Sequence, residues 1–234
     1  MVLARVGRFG PLIAAGIVLA GVSAAQATTL GGTLTVDNAF FAYISTSDST
    51  RGTLVASGTN WPTPGSFSGF TLTAGQNYFL HIEGINQGIQ GSFIGQFTLS
   101  DTGFQFANGS QTLLTDTTDW RGGYINGNSA ATEQTWVMPT GTTFSEGLDG
   151  VSPWGTISAS FTGADFIWPT DPSSDPGGPA AGQGGVCGFC TVAFSTTIFS
   201  QSAPTGVPEP VTVSLFGAGL AGAIALRRKA KKRA

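Results

Sequence analysis

The chain of 234 residues carries 10 Lys and Arg against 13 Asp and Glu, so only 10% of it is charged where about a quarter is usual. Eight of the ten cations lie in the two ends, and the segment 28–209 holds two arginines, no lysine and all thirteen acids, a net charge of −11. A body of that sign repels phosphate backbones and anionic lipid, which excludes nucleic-acid binding.

Residues 1–27 place Arg5 and Arg8 before an apolar stretch from Pro11 to Val22, then small residues ending in Ala25-Gln26-Ala27. That three-part layout is a secretory signal peptide, with cleavage expected after Ala27 and Ala25 completing the A-x-A site. The alternative is an uncleaved anchor helix.

From Thr28 the sequence turns to short runs of Thr, Ser, Phe, Val and Ile broken by Gly, Asn, Asp and Pro, and Gly alone occurs 35 times, about twice its usual share. This is strand-and-turn composition, and it predicts one acidic all-β domain, an antiparallel β-sandwich, over residues 28–203. Candidate strands are Thr33–Asp37, Ala39–Ser45, Gly52–Ser57, Ser66–Leu72, Asn77–Gly84, Ser92–Ser100 and Cys190–Ser200. Alternation predicts three core-facing rows: Tyr78, Leu80 and Ile82; Phe93, Phe97 and Leu99; and Val192, Phe194 and Ile198. Turns are expected at Pro62-Thr63-Pro64-Gly65, Ala74-Gly75-Gln76-Asn77, Asp101-Thr102-Gly103 and Asn108-Gly109.

His81, the chain's single histidine, falls within one of these strands, on the face opposite Tyr78, Leu80 and Ile82. A Ser-His-Asp triad would have to use it, but no G-x-S-x-G or comparable nucleophile context stands nearby, so a sheet-face histidine is expected. Acids for glycoside hydrolysis could come from Glu83, Asp116, Asp119, Glu133, Glu146 and Asp149, although solvated charge is the simpler reading. Asp116 and Asp119 could instead ligate Ca²⁺ together with backbone carbonyls, the one cofactor considered. The five tryptophans all lie in the body. Aromatic faces stack on sugar rings, and Trp61, before Pro62, and Trp120, beside Arg121, are expected to be exposed, making Trp61, Trp120 and Arg121 the ligand-binding candidates.

The order VDNAFFAYIS, VASGTNW, LTAGQNYFLHIEGIN, GSFIGQFTLS and TLLTDTTDWR, spread between Leu34 and Trp168, is similar to galactose-binding-like jelly rolls attached to bacterial glycosidases. That resemblance matches an Asp opening a strand with Asp37, an Asn closing one with Asn86, and a T-D element with Thr115-Asp116. It implies a jelly-roll-like sandwich in which many members serve as structural spacers.

Residues 169–186 are rich in Pro and Gly and are expected to form a loop inside the domain. Cys187 and Cys190, the only cysteines, make a C-x-x-C in an exported segment; a structural disulfide is favoured there, with redox, metal-binding and free-thiol roles as alternatives.

At the C-terminus, Val211 to Leu226 is a 16-residue apolar run followed by a basic cluster that begins Arg227-Arg228. At 1.5 Å per residue it would span about 24 Å of a hydrocarbon core of roughly 30 Å, a deficit that snorkelling cations can cover. Its positive flank marks the cytoplasmic side, as does that of the N-terminal signal, so the middle of the chain is expected across the membrane. Before the run stands Val207-Pro208-Glu209-Pro210, in which two prolines bracket one carboxylate and hold the backbone extended. A VPEP sequence, a short apolar helix and a basic terminus together resemble the PEP-CTERM sorting tail, placed here at 204–234; a plain C-terminal anchor with a proline-rich stalk is the alternative. The resemblance implies an exosortase and the secretion machinery as partners, transient membrane anchoring, and delivery to the envelope, surface or extracellular matrix of a bacterium that secretes exopolysaccharide. The expected function is non-catalytic, with exopolysaccharide as a candidate ligand; the alternatives are a secreted polysaccharide hydrolase using paired carboxylates and a purely structural matrix scaffold.

Overall fold

The computed structural model describes residues 27–88, 90–126, 130–170, 189–201 and 215–222. The chain divides into two units, Gln26–Ala203 and a second made of Met1–Ala25 with Pro204–Ala234. In the second unit residues 215–222 are helical, and among the described residues no helix is long and apolar enough to cross a membrane. The predicted signal peptide, apart from Ala27, and the rest of the predicted C-terminal span lie outside the described residues, as do Cys187 and the loop residues 171–188.

The unit Gln26–Ala203 is built from antiparallel β-strands. In chain order they are β1 (Thr29–Asp37), β2 (Ala39–Ser45), β3 (Thr53–Gly58), β4 (Gly65–Thr71), β5 (Tyr78–Asn86), β6 (Ser92–Leu99), β7 (Phe104–Phe106), β8 (Thr112–Leu114), β9 (Arg121–Asn126), β10 (Thr143–Leu148), β11 (Asp165–Pro169) and β12 (Cys190–Ser200). One sheet runs β10-β11-β6-β1-β4 with β8 also on β6, and the other runs β3-β2-β5-β12-β7 with β9 also on β12. Both sheets turn apolar rows toward one common core, in which Leu34, Val36, Phe93 and Phe97 of the first meet Phe40, Ile82, Val192 and Phe194 of the second. All nine side chains of the three predicted rows belong to that core. Alternation is legible there because a strand buried on one face has a period of two.

Five strands, β7 to β11, are not among those predicted from the sequence. Three of them are short or Gly-rich: Phe104-Gln105-Phe106, Thr112-Leu113-Leu114 and Arg121-Gly122-Gly123-Tyr124-Ile125-Asn126. Too few residues alternate in them to show a period. Pro169, expected to open the Pro/Gly-rich loop, instead closes β11 opposite Thr143.

The outer face of the first sheet carries a second apolar cluster, Ile94, Trp154, Phe161, Ala164 and Phe166, with Trp61 packed against it. The turn at Asn108-Gly109 forms as its chemistry predicts: Gly109 has φ +75°, and Asn108 Oδ1 accepts the Ser110 N–H at 2.9 Å.

Each of the outer strands β3, β4, β9 and β10 carries a β-bulge. The register shifts place the extra residue on the outer strand every time, near Val55, Ser68-Gly69, Ile125 and Glu146-Gly147. Sheet edges are commonly protected by lysines, and the segment 28–209 has none, so local twist takes over that role. Gly69 holds φ +74° beside open space, where an added Cβ would meet no atom within 4 Å, so a substitution there acts through the backbone alone. We expect Gly69→Val to cost about 1–2 kcal/mol in chemical denaturation through the left-handed backbone, and to raise self-association seen by light scattering.

Candidate functional site

The outer face of the second sheet holds the densest group of ionisable side chains. Pairing aligns Leu54, Tyr43, His81, Ser195 and Arg121 in one row across β3, β2, β5, β12 and β9, with Phe41, Glu83 and Ala193 in the next. Outward-facing positions of a two-layer fold are ordinarily wet. Here loop 46–52 and segment 130–142 lie over them, and His81, Glu83 and Ser195 are fully buried.

Asp48, from the loop, is the hub. Its Oδ1 accepts Ser195 Oγ–H at 2.7 Å and faces His81 Nε2 at 3.1 Å, while Oδ2 accepts Arg121 Nη2–H at 2.6 Å. Its main-chain carbonyl accepts Trp136 Nε1–H at 2.9 Å, and the Trp136 indole stacks on the His81 ring at 4.2 Å between centroids. Burial by itself would raise the Asp48 carboxyl, but the bonds from Ser195, Arg121 and His81, with the Arg121 charge, outweigh it and hold the group below its ordinary value.

Beside the hub, Arg51 joins Glu133 at 3.2 Å and Glu83 at 3.7 Å, and its guanidinium lies 5.3 Å over the Tyr43 ring. Glu83 Oε1 accepts the Gln134 main-chain N–H at 2.6 Å. Burial raises the Glu83 pKa against the opposing pull of that N–H and of Arg51. The Tyr43 phenol is driven above its ordinary range by burial and by the Glu133 and Glu83 carboxylates. Arg51 and Arg121 are the only arginines of the 28–209 segment, which has no lysine, and both are ion-paired here.

Histidine, serine and aspartate therefore meet, but in an order unlike a nucleophilic triad. In a triad the imidazole stands between serine and aspartate and takes the serine proton. Here aspartate stands in the middle: Ser195 donates to Asp48, and the two His81 nitrogens face Asp48 and the Arg51 carbonyl, the latter at 3.1 Å. What this wiring does is fasten a loop and a long segment to a sheet.

The predicted ligand residues do not form one site. Trp120 is a correction: rather than exposed, it is 2% accessible and packed between the sheets against Phe93 and Phe97, with Nε1–H donated to the Leu114 carbonyl at 3.1 Å. A large aromatic at the mouth of a strand finds more apolar area inward than outward. Its neighbour Arg121 points to the outer face of the second sheet, into the Asp48 hub. Trp61 is half-buried on the outer face of the first sheet, where its carbonyl accepts Thr35 Oγ1–H at 2.7 Å. The three candidates thus lie in three different layers.

Asp116 and Asp119 do come together. Asp116 Oδ1 accepts the N–H groups of Thr118 and Asp119, both at 2.7 Å, and Asp119 is pushed up to about 6 by burial and by the Asp116 carboxyl beside it. Among the described residues no group of three or more His, Cys, Asp or Glu side chains is placed to hold a metal ion. Of the residues matched to the jelly-roll resemblance, Asp37 accepts Trp154 Nε1–H at 3.0 Å, Asn86 Oδ1 accepts the Gly88 N–H at 2.8 Å, and Thr115 Oγ1 donates to the Asp165 carbonyl at 2.6 Å. Cys190 is buried and disulfide-bonded.

Sequence reasoning missed Asp48, Arg51, Ser195 and Trp136. One signal was present: when a segment has only two arginines, any ion-paired cluster must form around them.

Neither a curated protein nor a solved structure matches this chain. Residues 206–229 match the PEP-CTERM protein-sorting motif, so the chain carries the tail of an exported protein that an exosortase processes and that is sorted to the bacterial cell envelope or surface.

Proposed function

We propose that the unit Gln26–Ala203 is a non-catalytic β-sandwich of jelly-roll type, displayed at the surface or in the extracellular matrix, and that it contacts extracellular polysaccharide through Trp61. The observation that carries the non-catalytic part is the wiring of Asp48, which engages the one histidine and its neighbouring serine in fastening bonds. Trp61 supports the contact because it lies in a loop next to Pro62 and is only half-buried, and an indole so placed suits the apolar face of a sugar. Charge narrows the partner. With Arg51 and Arg121 neutralised, no free cation stands among the described residues to meet an anionic chain, so the glycan that fits is uncharged or aminated.

The test is retention of the exported protein on a column of the producer's exopolysaccharide, together with an assay for reducing ends. Delayed elution with no sugar released is the expected result, and Trp61→Ala should abolish the delay while leaving the melting midpoint within a few degrees. Release of reducing ends would replace this reading with that of a hydrolase. Elution in the void volume would leave a structural scaffold.

A further inference from the structure

Both ring nitrogens of His81 face oxygen. Nδ1 is 3.1 Å from the Arg51 main-chain carbonyl and Nε2 is 3.1 Å from Asp48 Oδ1. A neutral imidazole has one N–H and one bare lone pair, so in that state one of the two contacts sets lone pair against lone pair. Asp48 is poorly placed to supply the missing proton, because its two oxygens already accept from Ser195 and from Arg121. Only a ring protonated on both nitrogens satisfies both contacts.

The surroundings divide over that charge. Burial is the largest influence, the Arg121 charge adds to it, and on balance the surroundings hold the ring's pKa below its ordinary value, so the case for a charged ring rests on its two oxygen contacts. Against burial act the Arg51 carbonyl, the Asp48 bond and the Asp48 charge. The remaining groups around the ring are Tyr43 opposite it on β2, Ser195 opposite it on β12, Glu83 two places along β5, the Arg51 guanidinium between Glu83 and Glu133, and Phe79 and Trp136 stacked against the ring. An indole face 4.2 Å away favours a cationic ring over a neutral one.

We infer that His81 is a buried imidazolium at neutral pH, a third internal cation that fastens loop 46–52 to the sheet, and that this fastening weakens as the surroundings turn alkaline. The sign follows from linkage: a group held in its charged form by the fold contributes stability at low pH and loses it as pH rises through the folded-state pKa. His81 acts in this way through the Asp48 hub, independently of any glycan contact.

The chain has a single histidine, so the ring can be observed without assignment ambiguity. The experiment is ¹⁵N NMR of the imidazole in the full-length chain, carrying a tag without histidine, across neutral and alkaline pH. The expected result is two protonated nitrogens at neutral pH, with the ring losing its proton only on the alkaline side of the ordinary value of about 6.5. The melting midpoint should fall as pH rises through that titration, and His81→Gln should remove the step. A single N–H at neutral pH, with a midpoint below the ordinary value, would overturn the inference and show that burial wins. The wild-type spectrum decides this even if the variant does not fold.

Discussion

Asp48→Ala should destabilise the domain by about 2–3 kcal/mol, because it removes the charged acceptor of the buried Ser195 hydroxyl and the buried His81 ring, while Arg121, 40% exposed, can turn to solvent. Two donors, Ser195 Oγ and Arg121 Nη2, lose their acceptor at once, and the His81 ring loses its contact with the carboxylate. The Asp48 side chain is 15% exposed and its Ser195 and His81 partners are buried, so solvent screens those two contacts weakly and the Arg121 bond more strongly. Asp48→Asn keeps an acceptor oxygen and loses the charge, and it should cost less than the alanine variant. Denaturant unfolding of both variants against wild type measures the difference. The pH dependence has a defined sign. Because the folded-state pKa of Asp48 is depressed, its contribution is complete above the unfolded value of about 3.9 and is lost as pH falls through the folded value. The asparagine variant should therefore lose stability less steeply on the acid side than wild type. An acid limb in Asp48→Asn identical to that of wild type would show that the hub does not hold the loop.

Trp120→Ala should cost more, about 3–5 kcal/mol, for an unrelated reason: it empties the centre of the core. Trp120 packs on Phe93 at 5.0 Å and on Phe97 at 5.5 Å between ring centroids, and its indole N–H is bonded. Its loss leaves both a cavity and a Leu114 carbonyl without that donor. Trp61→Ala removes a half-buried residue packed against a smaller cluster and should cost less. The pair separates stability from recognition: the Trp120 variant should lower the denaturation midpoint sharply, and the Trp61 variant should act mainly on glycan retention. Equal destabilisation by the two substitutions would contradict the placement of Trp120 between the sheets and of Trp61 outside them.

Much of the architecture was legible because it depends on local pattern. Strands β2 and β12 begin and end where alternation and turn residues predicted, and the rows through Tyr78, Phe93 and Val192 reach the core. Strands β7 and β8 were not legible, since three residues cannot display a period of two. The fate of Trp120 and Arg121 was not legible either. They are adjacent in sequence yet enter different layers, because successive strand positions face opposite sides and a slip of one would exchange them.

The order of residues along the chain specifies where this protein is sent, the sign of its body and the alternation of its longer strands. Each of these is written in neighbouring residues: a motif at 206–229, cations confined to the ends, apolar side chains every second position. What the few body charges do is set by the folded arrangement alone. Asp48 and Ser195 stand 147 positions apart, and Arg51 and Glu133 82 apart; strand register and the two covering segments bring them within bonding distance. A buried charge is stable only beside its partner, and which partner that is depends on long-range pairing that no local period records.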